Sequence, residues 1–432
     1  MRLGHGERFR EMNGPLLRSA RTAILACMVA VVALAEPPVG PSALPATTGW
    51  RGDGTGIYPV FDVPTEWGDA KNLKWRVRVG HAYSTPVVAG DSVLVTAEPS
   101  NIVCLGLADG VVRWKASVKA ADAPAEFKDK ALASEEAASS CGYAAPTPVC
   151  DGHDAFFLFG SGLVACFSID GHRKWEQYLE PIGQTYGHSS SPLLIGRTLL
   201  VNVSHLTALD ADTGHVLWEC AEAEHTYGTP VIMNLGGTVV VVTPVGKIVR
   251  VSDGRVLARD VASDLGGSEF GISPVASGDM VYLGDRTITA LKLSLDGDAV
   301  RAQTVWAAHP DASAFASPVV WDGMFFFVGK GAECLVLDAK TGAKLLEQEL
   351  KIGPAGVEDS DLNSANLYPS LVIAAGKLLV TNDKGQTFIY EASKELKEIA
   401  RNRLKDGSGA TPVVTATSIL LRGGNYLCAI GK

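Results

Sequence analysis

No run of about 20 consecutive apolar residues occurs in this chain, so its sequence encodes no helix of bilayer length. Positive charge is in short supply. There are 38 Lys and Arg against 47 Asp and Glu, a net charge of −9, which argues against a phosphate-binding basic surface and against nucleic acid as a partner. The eight cysteines include no Cys-x-x-Cys and no adjacent pair, so zinc-ribbon and thioredoxin readings fail. A Gly-x-Ser-x-Gly nucleophile elbow and a His-Glu-x-x-His zinc helix are also missing. Neither a catalytic residue nor a metal ligand is therefore assigned from motifs. What is present is a globular balance, 47% hydrophobic and 20% charged, rich in turn formers with 46 Gly and 22 Pro.

The N-terminus reads as a secretory signal over residues 1–35. Arg18 and Arg21 precede an apolar run at 23–32, and Ala33-Leu34-Ala35 supplies the small-residue cleavage site. Met12 is an alternative start. Ile24-Leu25-Ala26-Cys27 has the outline of a lipoprotein box, but most of the apolar core follows Cys27 instead of preceding it. Cleavage after Ala35 would take the net charge from −9 to −12 and leave seven cysteines. An acidic protein of the periplasm or cell envelope, with no transmembrane segment after signal cleavage, is the expectation. Cys141 and Cys150 flank an irregular stretch and are the disulfide candidates; Cys104 and Cys166 occupy strand positions equivalent to Ala208 and read as small core residues.

Periodicity is the most informative feature. A small or hydroxyl residue followed by Pro opens an apolar strand at Pro86, Pro148, Pro192, Pro230, Pro274, Pro318, Pro369 and Pro412, with spacings of 62, 44, 38, 44, 44, 51 and 43 residues. Proline is tolerated at the first residue of a strand, where its missing donor costs little. Each such strand leads through a short turn to a second one, as in Val87-Val88-Ala89-Gly90-Asp91-Ser92-Val93-Leu94-Val95. A third strand, an Asp- and Gly-containing turn and a fourth strand ending near Trp follow, most clearly in Ala208-Leu209-Asp210-Ala211-Asp212-Thr213-Gly214-His215-Val216-Leu217-Trp218. Four strands in about 44 residues is one propeller blade.

The fold class expected is thus all-β, an eight-bladed β-propeller over 73–432 after an N-terminal extension at 36–72. The eighth unit lacks a fourth strand, and residues 73–79 around Trp75 form a spare strand of that type, so the N-terminal strand is expected to complete the last blade and remove two exposed edges. Two insertions break the rhythm, a helical one near 120–140 and a loop near 351–366. Trp114, Trp175 and Trp218 read as packing between blades, and the Asp-x-Asp-x-Gly fragments as capped turns instead of calcium loops.

The segment from Ala208 to Trp218 resembles the pyrroloquinoline-quinone-like (PQQ-like) repeat, Ala-Leu-Asp-x-x-Thr-Gly-x-x-x-Trp. Gly49-Trp50-Arg51-Gly52-Asp53-Gly54-Thr55-Gly56 and the closing strand pair resemble exported propellers of planctomycete-like bacteria, similar to the BamB-type outer-membrane assembly scaffold. The resemblance implies a non-catalytic scaffold with no cofactor, read as a monomer, whose partner is an envelope protein or small ligand at the channel mouth. The alternative it implies is a quinoprotein dehydrogenase holding PQQ with calcium; such enzymes carry an adjacent cysteine pair that this chain lacks. A carbohydrate-binding propeller is a third class, since aromatic rims suit sugar rings. In this family the proline strand lies innermost. The resemblance therefore places the residues before it around the channel mouth as the ligand or partner face: His81, Tyr83, Tyr186, His188, His225, Tyr227, Phe270, Phe315 and Tyr368.

Overall fold

Short apolar runs punctuated by glycine turns fold into eight sheets, each built on four antiparallel strands, here seen in a computed structural model. The structure describes residues 48–432 except 61, 137–141, 181–187, 225, 263–270, 285, 353–365 and 408. The signal segment 1–35 and most of the 351–366 loop lie outside the described residues. Blade 1 comprises Val87–Ala89, Ser92–Ala97, Asn101–Gly106 and Val112–Ser117, running from the axis outward. Six further blades follow in chain order. Blade 8 comprises Val413–Val414, Ile419–Gly423 and Tyr426–Ile430, and its fourth strand is Leu73–Arg78 from the other end of the chain. The expected closure is therefore what the chain adopts.

The hydroxyl before each inner strand has a job that spacing alone does not reveal. The backbone N–H of Thr85 donates to Thr147 Oγ1 (3.0 Å), Thr147 N–H to Ser191 Oγ, Ser191 to Thr229, Thr229 to Ser273, Ser273 to Ser317, Ser317 to Ser370 and Ser370 to Thr411. Seven successive links thus join one blade to the next around the axis. All eight of these hydroxyl residues are buried, so each link satisfies a donor that water cannot reach.

This ladder corrects one opener. In blade 7 the hydroxyl link is made by Ser370, so Leu371 and not Pro369 stands where the other blades have proline. The physical reason is visible in the backbone: Leu371 keeps its N–H and donates it to Ser317 O (3.1 Å), a bond no proline could make.

At the outer end, tryptophan joins neighbouring blades. The indole N–H groups of Trp75, Trp114, Trp175, Trp218 and Trp306 donate to Leu107 O, Ile169 O, Ala211 O, Val251 O and Ala339 O in the next blade, at 2.9–3.1 Å. Each ring lies on a turn glycine of that neighbour; a Cβ at Gly171 would sit 2.8 Å from Trp114. Opposite each Trp within its own sheet stands a small residue: Cys104, Cys166, Ala208, Ala290 or Ala429. The two cysteines are therefore packing residues. Gly171 also has φ 96°, a value that β-carbon-bearing residues avoid. Gly171→Ala should cost about 2–4 kcal/mol through overpacking plus backbone strain, measured by urea unfolding.

The Asp-x-x-Thr-Gly turns are self-capped. Asp210 Oδ1 accepts from Thr213 N (2.8 Å), Thr213 Oγ1 and Asp212 N, and Asp338 does the same for Thr341 and Lys340. These bonds hold both carboxyls below the usual range. In the first insertion the helix runs over Lys128–Glu136, with a 3-10 turn at Ala120–Asp122 ahead of it, so it begins later than Pro124 suggested.

Candidate functional site

The hydroxyl ladder supplies a strict register for the loops that enter the inner strands. Two residues before the hydroxyl stand Tyr83, Ala145, Ser189, Tyr227, Gly271, Phe315, Tyr368 and Gly409, in blades 1 to 8. Rings therefore occupy this position in four of the eight blades, and three of the four are gathered on one side. Phe315 of blade 6 packs on Tyr368 of blade 7 with ring centroids 4.9 Å apart. Tyr83 of blade 1 meets His81 edge to face at 5.1 Å. Between Tyr368 and Tyr83 stands Gly409 of blade 8, where a Cβ would lie 3.2 Å from Tyr83 Cδ1 and 3.4 Å from Tyr368 Cβ. Glycine lets both tyrosines close over it. Lys330 Nζ sits 3.8 Å above the Phe315 ring and ends the row.

The row from His81 to Lys330 thus crosses the seam where the two ends of the chain meet. Tyr83 and Tyr368 remain 37% and 43% exposed, among the most open large hydrophobics described. The remaining expected residues fall differently. His188 is buried, 1% exposed, and belongs to the wall. Tyr227 is half-buried, and its carbonyl accepts from Ser189 Oγ. Tyr186, His225 and Phe270 lie outside the described residues, as does Cys141. Cys150 is a buried thiol. Missed in the sequence were Lys330 and Gly409; the signal that could have found Gly409 was a glycine in a register otherwise held by rings.

A cavity of about 680 Å³ lies beside blade 1, next to the His81 end of this row, lined among others by Gly80, Glu98, Lys115, Lys119 and Arg173. Glu98 is committed to structure there, since its carboxylate accepts from Tyr143 N and Ala144 N. Burial pushes the thiols of Cys150 and Cys428 up to about 11 and those of Cys166 and Cys334 to about 12, so at neutral pH they are protonated and are not nucleophiles. Among the described residues no three His, Cys, Asp or Glu are grouped to hold a metal ion. No described helix is long and apolar enough to cross a membrane.

Seven four-stranded sheets and one of five strands, hydroxyl openers and Trp-on-Gly docking define a PQQ-like eight-bladed β-propeller. The family model described as outer membrane protein assembly factor BamB matches residues 68–231 and 202–425, and the chain belongs to that family. The fold is similar to that of BamB from Moraxella catarrhalis, at 14% identity, 83% of this chain and 96% of that one covered, and a TM-score of 0.59. It is also similar to quinohemoprotein alcohol dehydrogenase from Comamonas testosteroni, at 12% identity, 89% and 81% coverage and a TM-score of 0.58. The computationally designed Ika8 protein matches at 11% identity, 82% and 96% coverage and a TM-score of 0.55. No curated protein sequence matches the chain.

Proposed function

We propose that this chain is an exported, non-catalytic propeller of the cell envelope that binds a protein or small ligand at the channel mouth, on the aromatic row. The observation that carries the reading is the pair Tyr83 and Tyr368, held half-open on either side of Gly409. Aromatic rings offer large contact area at low entropic cost, and such anchors concentrate binding energy when a partner covers them. Membership of a family described as an assembly factor supports a binding role over catalysis. The proposed seat is a rigid one, because each loop is anchored by a ladder hydroxyl two residues away.

The test is the double variant Tyr83→Ala, Tyr368→Ala. Both side chains are substantially exposed, so melting should shift by no more than about 1–2 °C, while capture of the partner from an envelope extract should fall at least tenfold. Undiminished capture would remove the row as the site. Dye-linked alcohol oxidation by purified protein supplied with PQQ and calcium would overturn the non-catalytic reading instead.

A further inference from the structure

The inner strands of a propeller leave one hydrogen-bonding edge facing the axis. Here residues 48–58 cross that space. Thr48 exchanges both backbone hydrogen bonds with Cys150 on the inner strand of blade 2, at 2.9 and 2.8 Å. At the other end, Ile57–Tyr58 pairs in parallel with the inner strand Val372–Ala374 of blade 7, where Ile373 N donates to Gly56 O and Ala375 N to Tyr58 O. Blades 2 and 7 are not neighbours, so the segment bridges the ring through its middle. Positive φ at Arg51, Gly52, Gly54 and Gly56 folds the stretch between into a tight knot.

Arg51 lies at the centre of that knot and is fully buried. Its Nη2 donates to Pro318 O and Leu371 O, both at 2.8 Å, in blades 6 and 7. Nε and Nη1 find no acceptor, and the buried Tyr58 hydroxyl finds no partner either. Three of the five guanidinium N–H groups are therefore unmet. The nearby Asp53 attracts the guanidinium through its charge but accepts no hydrogen bond from it, its Oδ1 taking those of Thr55 N and Thr55 Oγ1, and the Trp50 ring lies 5.3 Å from Arg51 Cζ. A buried charge with no carboxylate bonded to it and less than a full set of acceptors opposes the burial that holds it.

We propose that residues 48–58 are a releasable plug of the central channel, with the under-satisfied Arg51 setting it close to release. The four backbone bonds at Thr48, Gly56 and Tyr58 and the two Arg51 Nη2 bonds to Pro318 O and Leu371 O hold the segment in. Rehydration of the Arg51 guanidinium and the Tyr58 hydroxyl draws it out. Withdrawal opens the axis and frees the inner edges of blades 2 and 7, while the blades themselves stay joined by the hydroxyl ladder. Burial already costs Arg51 some of its affinity for the proton, with its pKa brought down to about 10, in the direction this balance requires.

Hydrogen exchange at single-amide resolution on the full chain tests the plug. The amides of Cys150, Ile373 and Ala375 should exchange together, at least tenfold faster than those of the neighbouring strand Lys377–Thr381. Arg51→Met, which keeps length and removes charge, should slow all three at least tenfold. Tyr58→Phe, which removes only the unmatched hydroxyl, should slow them in the same direction. Faster exchange in Arg51→Met, or a chain that no longer folds, would make Arg51 a latch and overturn the proposal. So would native amides at these positions that exchange no faster than the Lys377–Thr381 strand.

Discussion

Deleting residues 73–79 should abolish soluble protein. The strand Leu73–Arg78 covers the edge of Tyr426–Ile430, in a register that pairs Leu73 with Ile430 and Arg78 with Tyr426. Without it, blade 8 presents an unpaired edge bearing Leu427, Ala429 and Ile430, all buried in the intact ring. The deletion also removes Trp75, which docks on Gly110 of blade 1 and donates to Leu107 O. Loss of one such buried aromatic alone costs about 3–5 kcal/mol, a large share of the roughly 5–15 kcal/mol that holds a typical domain folded. Size-exclusion chromatography should show aggregate in place of the discrete peak of the intact chain. A soluble deletion with unchanged melting would show that blade 8 does not need its N-terminal strand.

Arg422→Ala should be the most damaging single substitution at the same seam. The hydroxyl links described run from Thr85 to Thr411, and Arg422 bonds across the junction of blades 8 and 1. Its buried guanidinium donates to Gly80 O (2.9 Å), Thr96 O (2.7 Å), Ser84 O and Ser84 Oγ of blade 1. Desolvation lowers its pKa to about 10, so it is charged at pH 7, and truncation would strand several buried acceptors at once. Removing one side of a buried charge-assisted network costs about 3–5 kcal/mol. Arg401→Ala is the control. Its bonds to Glu398 are more exposed, and surface pairs contribute about 0–1 kcal/mol. Urea unfolding of the two variants should separate them clearly. Equal midpoints would mean that the seam does not depend on Arg422.

Two arginines buried among the described residues, Arg51 and Arg422, show how differently one side chain can be used. Arg422 meets four acceptors of a neighbouring blade and closes the ring. Arg51 meets two and leaves three N–H groups unmet on the axis. The difference lies in what surrounds each guanidinium. Around Arg422 the loops of blade 1 turn their carbonyls inward, whereas Arg51 is enclosed largely by its own glycine-rich knot, where a Cβ at Gly56 would overlap it.

Much of this protein follows from local chemistry that can be read along the chain. Hydroxyl–proline openers, glycine turns, Asp caps and Trp at the end of the fourth strand each impose a backbone geometry within a few residues. Their recurrence states the blade and the number of blades, and the mismatch at the two ends states how the ring closes. Blade 7 shows where such reading stops. Pro369 looked like an opener because it follows the same local pattern, but only the partner hydroxyls of blades 6 and 8 decide that Ser370 and Leu371 hold that place. The same is true of the candidate site. Rings before the inner strands were visible in sequence, yet whether each faces solvent or the wall depends on neighbouring blades, which is why Tyr83 and Tyr368 stay open and His188 does not. The crossing of the channel by residues 48–58 had no periodic signal at all, since it joins blades 2, 6 and 7 by contacts hundreds of residues apart in sequence. Local pattern determined the repeating unit; only the closed ring, by bringing together edges remote in sequence, decided which segment crosses between its inner strands and which of the rings before those strands stay exposed.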